Sequence, residues 1–146
     1  TNPNKAMDSM QYAKEYWNKT DGKQLCHIII NFGGTKKEDM RYLAETIADE
    51  IASQVSSLIY SKGYQNCYFK HVSDQGVLHF HFVTNNVNLD DGAKLRSHSD
   101  LAYEIHDYLV RYYPELTWRG VKYHTSARDF WTDHQDIEVF GFGKTM

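Results

Sequence analysis

A chain of 146 residues, 41% hydrophobic and 24% charged, has the size and balance of one globular domain with enough length to bury a core. No apolar run nears the roughly 20 residues that span a bilayer, and the polar opening Thr1-Asn2-Pro3-Asn4-Lys5 does not read as a secretory signal, so no membrane partner is expected. A net charge of −3 argues against a protein that holds polyanions by bulk positive charge, but leaves room for a local or metal-assisted contact.

Residues 7–18 read as a helix, with Met10, Ala13 and Trp17 on one face and Asp8 or Ser9 as its cap. Asp21-Gly22 makes a turn, and the β-branched run 24–32 reads as a central strand ended by Gly33-Gly34. A long helix is expected from about 36 to 60. Thr35 and Glu38 form a capping box there, and Met40, Leu43, Ile47, Ile51, Val55 and Leu58 draw one apolar stripe. Lys62-Gly63 closes that helix. Residues 64–72 and 77–86 are two strands joined by a tight turn. Residues 100–113 are helical, with Leu101, Ile105, Tyr108, Leu109 and Tyr112 on one face and a stop at Pro114. Segments 117–124 and 136–142 are weaker strand candidates. The order predicts an α+β sandwich: an antiparallel-rich sheet with helices packed on one face, formed by residues 1–146 as a single domain. Cys26 and Cys67 lie in apolar strand-like runs and read as buried thiols of a reducing compartment, which predicts a cytoplasmic protein.

The hairpin segment 68–86 carries the chemistry. Side chains alternate along a strand, so Val77, His79, His81 and Val83 share one face while Leu78, Phe80 and Phe82 share the other. Two imidazoles at i and i+2, backed by large apolar residues, suit a single transition-metal ion held on a rigid strand. His71 is the preferred third ligand. If Asp74-Gln75-Gly76 is a three-residue loop with Gly76 in the left-handed region, Ser73 pairs with Val77 and His71 lies opposite His79. A four-residue loop would instead turn His71 inward and aim Lys70 at the site. Asn85 and Asn86 at the strand end could contact phosphate or sugar, or simply make a turn. Lys36, Lys37, Lys94 and Arg96 are candidates for the DNA backbone if nucleic acid is the substrate, and otherwise are solvated charges. His27 could face the same site or be a buried, hydrogen-bonded residue.

The stretch HVSDQGVLHFHFVTNNVNLDDGAKLRS, residues 71–97, resembles the relaxases, the mobilisation nucleases of plasmids and integrative elements within the HUH endonuclease superfamily. His79-Phe80-His81, Asn86, Val87-Asn88 and Gly92-Ala93-Lys94-Leu95 follow that pattern, and the strand holding His27-Ile28-Ile29-Ile30-Asn31-Phe32 resembles an earlier strand of the family. The likeness covers roughly residues 1–113 and leaves 114–146 unassigned. It implies an HUH/RRM-like sandwich and a divalent metal, Mg²⁺ or Mn²⁺, on His71, His79 and His81. It also implies a tyrosine that attacks a scissile phosphate of single-stranded DNA at a transfer origin, with accessory mobilisation proteins as further partners. Asn86, Lys94 and Arg96 would then touch the DNA. Two departures stand out: the spacing from His71 to His79 is one residue longer than in the family pattern, and the family's tyrosine would fall just before Thr1. Within the chain, Tyr12 and Tyr16 on the first helix are possible replacements. So is Tyr103, which is off the apolar stripe of its helix, where a replication initiator of the superfamily would carry its tyrosine. The alternatives are such an initiator or a transposase, a non-catalytic nucleic-acid-binding module, and an unrelated histidine-rich metalloprotein.

Overall fold

The computed structural model describes residues 3–21, 24–34, 43–74, 76–95, 98–114, 116–124 and 134–142. The chain runs α1 (Pro3–Tyr16), β1 (Leu25–Gly34), α2 (Glu45–Ser61), β2 (Tyr64–Val72), β3 (Val77–Asn88), α3 (His98–Tyr112), β4 (Thr117–His124) and β5 (His134–Phe142). All five strands join one sheet in the order β2-β3-β1-β5-β4. β1 pairs antiparallel with β3 and parallel with β5, so residues beyond 113 supply the other neighbour of the central strand. The architecture is α+β, as the element order predicts.

Alternation decides what each strand buries. On β1, Cys26, Ile28, Ile30 and Phe32 are fully buried, and on β3 so are Leu78, Phe80 and Phe82. These side chains pack against Ala48, Ile51, Ala52, Val55 and Ile59 of α2 and Leu101, Ala102, Ile105 and Leu109 of α3 in one cluster. Each fully buried aliphatic or aromatic side chain contributes about 1.5–3 kcal/mol of transfer free energy. α1 stays outside that cluster. Its buried Met10 and Ala13 sit by the β2–β3 hairpin, where Asn85 Nδ2 donates to the Met10 carbonyl at 3.2 Å and Gln65 Nε2 donates to Ser9 Oγ at 2.7 Å. Asn85 shares its strand parity with His79, His81 and Val83, so α1 is tied to the opposite side of the sheet from α2 and α3.

Several boundaries differ from the sequence pattern. α1 begins at Pro3, whose missing N–H costs nothing in the first turn of a helix, so Asp8 and Ser9 lie inside it rather than at its cap. α2 begins at Glu45: Ala44 is extended (φ −61°, ψ 135°), and the Thr35–Glu38 capping box falls outside the described residues. Leu43 still buries its side chain from this non-helical stretch, so a periodic apolar position does not by itself require helix. On α3 the buried stripe takes in Ala102 in place of Tyr112, which is 57% exposed.

The end of α2 is clasped to the end of β3. Gly63 adopts φ +98°, and a side chain there would collide with the Asn88 amide. Asn88 Nδ2 donates to the Lys62 carbonyl at 2.9 Å, and its Oδ1 accepts from the Asp90 N–H at 2.8 Å.

Candidate metal centre

The turn between β2 and β3 sets the site. The Ser73 N–H donates to the Val77 carbonyl at 2.9 Å and the Gly76 N–H to the Ser73 carbonyl at 2.8 Å, with Gly76 at φ +78°. This is the three-residue loop. It pairs His71 with His79, Phe69 with His81 and Lys70 with Phe80. The eight-residue step from His71 to His79 thus leaves the two strands in phase. Lys70 points to the α2 side, where its ammonium meets Asp49 Oδ1 at 3.0 Å and Glu45 Oε2 at 3.2 Å. Hydrogen bonds to those two carboxylates raise the Lys70 pKa above the usual lysine range.

His71, His79 and His81 each bring a ring nitrogen to within 4.8 Å of the others. His71 Nδ1 and His79 Nε2 lie 2.6 Å apart, close enough to share a hydrogen, and the two rings meet edge to face at 4.5 Å between centroids. The His79 and His81 rings are 4.8 Å apart. His71 is exposed on the edge strand, whereas His79 and His81 are half-buried on β3. Bonds of about 2.1 Å from imidazole to a metal cap the separation of two ligands on one ion at about 4.2 Å, so the widest pair has to close by roughly half an ångström at most. The donor set fits a divalent transition ion.

The neighbouring strand completes the face. β1 sets Asn31 opposite His79 and Ile29 opposite His81. His27, opposite Val83, reaches back to His81: its Nε2 is 2.8 Å from His81 Nδ1, and the rings stack at 4.9 Å and 21°. Parity within β1 put His27 on one of two faces in the sequence, and only the β1–β3 register shows which. Phe69, two residues before His71 on the same strand face, lies opposite His81 and is 41% exposed; the alternation that places His71 also marks it as a site neighbour.

The remaining candidates lie elsewhere. Asn86 is 2% exposed and Asn85 fully buried, so both anchor the strand end and neither presents to a ligand on the surface. In particular, Asn85 Nδ2 holds α1, and the backbone of Asn86 bonds to Gln24 and Leu95. The Lys94 ammonium is engaged by the Asp21 carbonyl. Arg96, Lys36 and Lys37 lie outside the described residues. Tyr103 is 54% exposed, but it stands on α3, whose buried side packs against the apolar face of the sheet, so the whole sheet separates it from the histidines. Tyr12 and Tyr16 are exposed on α1. Cys67, which pairs with Val83, is buried, and burial pushes its thiol up from the ordinary range.

No curated protein and no solved structure matches the chain. The family model described as "Relaxase: MobA/VirD2-like, nuclease domain" matches residues 1–113, a span that holds β1, the histidine hairpin and all three helices. The chain thus belongs to the MobA/VirD2-like relaxase nuclease family, whose members nick DNA.

Proposed function

We propose that residues 1–146 act as one cytoplasmic domain that nicks single-stranded DNA at a transfer origin, with a divalent ion held by His71, His79 and His81. The convergence of these three imidazoles on one sheet face, inside the region of the family match, carries the reading. A bound ion would draw electron density from the non-bridging oxygens of the scissile phosphate and make phosphorus easier to attack. An all-nitrogen donor set favours Mn²⁺ over Mg²⁺, which prefers oxygen ligands. The three histidines hold the site while neutral. Lys70, turned to Glu45 and Asp49, adds no competing charge among them.

A tyrosine hydroxyl attacks phosphorus. The bond from phosphorus to the 3′ oxygen breaks, the leaving oxygen takes up a proton, and a 5′-phosphotyrosine link remains beside a free 3′-hydroxyl. The link stores the phosphodiester energy for rejoining. The family pattern puts this tyrosine ahead of Thr1; within the chain, Tyr12 and Tyr16 are the candidates on the histidine side of the sheet. A replication-initiator arrangement, with the nucleophile on the helix after the histidine strand, is disfavoured because α3 covers the other face. Accessory mobilisation proteins would deliver the origin strand.

Nicking of a labelled single strand carrying a candidate transfer origin, with Mn²⁺ added, tests the reading. The chain is compared with an upstream-extended form and with an extended His79→Ala/His81→Ala variant. The extended form is expected to give a covalent protein–DNA adduct. The double variant should lose metal binding and at least about 100-fold of the nicking rate. Chelation should abolish nicking, and acid should weaken it because protonated imidazole cannot bind metal. Metal affinity unchanged by losing both histidines would overturn the proposal.

A further inference from the structure

The triad's second layer is a fourth histidine. We propose that His27 is a positioning residue that fixes the tautomer and ring plane of His81, presenting His81 Nε2 to the ion; this rests on the metal-centre reading above. His81 Nδ1 lies 2.8 Å from His27 Nε2, so the contact with His27 is made by Nδ1 and the metal-facing role falls to Nε2. A neutral imidazole that binds through Nε2 must carry its hydrogen on Nδ1. His81 therefore donates, and His27 Nε2 accepts, so His27 keeps its own hydrogen on Nδ1.

The two rings are near-parallel, 21° between planes with centroids 4.9 Å apart, so the hydrogen bond runs close to both ring planes and opposes rotation of His81 about its side-chain bonds. His27 belongs to the central strand, flanked by β3 and β5, so the acceptor is as fixed as the ligand it orients. In most metal sites a carboxylate or backbone carbonyl accepts this hydrogen. A neutral imidazole does the same work without adding negative charge beside a centre that must also receive a phosphate.

Two variants test the proposal. His27→Gln can still accept a hydrogen bond through its amide oxygen, whereas His27→Leu fills similar space and cannot. Mn²⁺ titration of the purified chain is expected to show a loss of affinity of about 10–100-fold for His27→Leu. His27→Gln should stay within a few-fold of wild type, with unchanged thermal unfolding of the metal-free forms. Nitrogen-15 NMR of the metal-free protein should show His81 with its hydrogen on Nδ1 in the wild type, and a mixture of tautomers in His27→Leu. Wild-type affinity in the Leu variant would overturn the proposal. So would equal loss in both variants, which would make His27 a ligand. Should the wild type bind no Mn²⁺, the metal-centre reading fails by itself, and the tautomer measurement still decides whether His27 sets His81.

Discussion

Along β3, the residues at 78, 80 and 82 vanish into the cluster with α2 and α3, while those at 79 and 81 stand half-buried on the face whose far end α1 covers. Both sets come from one strand of twelve residues, and each sits within one Cα step of the other. The first face is dense, apolar and held by many small contacts. The second mixes histidines with Ile29, Phe69 and Val83, and its imidazoles are held by a few directed contacts: the His71–His79 and His27–His81 pairs. Stability and chemistry are thus separated by side-chain parity rather than by distance, which lets the site keep groups that a core would reject.

The comparison breaks if the apolar face can be opened cheaply. Phe80→Ala is expected to cost about 3–5 kcal/mol in urea denaturation, the range for large-to-small change in a packed core. His79→Ala, one residue away, should shift metal-free stability by less than about 1 kcal/mol. Equal losses would mean that the two faces are not independent. At the clasp between the faces' supporting elements, Gly63→Ala meets both the Asn88 side chain and a positive φ, and should cost about 1–3 kcal/mol by the same assay. No loss would show that Asn88 yields freely.

The smallest effect belongs to Lys70. Its ion pairs are more than one-third exposed, so Lys70→Met should change stability by less than about 1 kcal/mol. Because the folded state raises the Lys70 pKa, this contribution is complete below the ordinary lysine value and fades only as pH climbs through the raised one. The wild-type and variant unfolding curves should therefore differ by the same amount at pH 6 and pH 9 (roughly, for a group of ordinary pKa near 10.4). A difference that grows in that window would assign the effect to another group.

The split of β3 is legible in the sequence because alternation is a local property. The same holds for the turn: Gly76 and the three-residue loop fix the partner of His71 without reference to the rest of the chain. What spacing could not supply is pairing between distant segments. The His27–His81 contact depends on the β1–β3 register, joining residues 54 apart in sequence. β5 enters between β1 and β4, parallel to the first and antiparallel to the second, a placement that no local spacing encodes. At the strand end, Asn85 and Asn86 read either as phosphate or sugar contacts or as a turn, and spacing does not foretell that they are buried where α1, Gln24 and Leu95 meet them. Tyr103 was recognised as lying off its helix stripe, but periodicity cannot tell which face of the sheet a helix covers.

The three histidines differ in how firmly the fold holds them. His79 and His81 belong to a strand paired on both sides, whereas His71 sits near the turn end of β2, which has β3 as its one strand partner in the described sheet. In hydrogen-exchange terms, β2 amides near Val72 should open by local fraying, at a lower free energy than the amides of β3, which is paired on both sides. The triad then loses its third member while the remaining pair stays in place. Capture of an ion should then appear as slowed exchange in β2, with little change in β3.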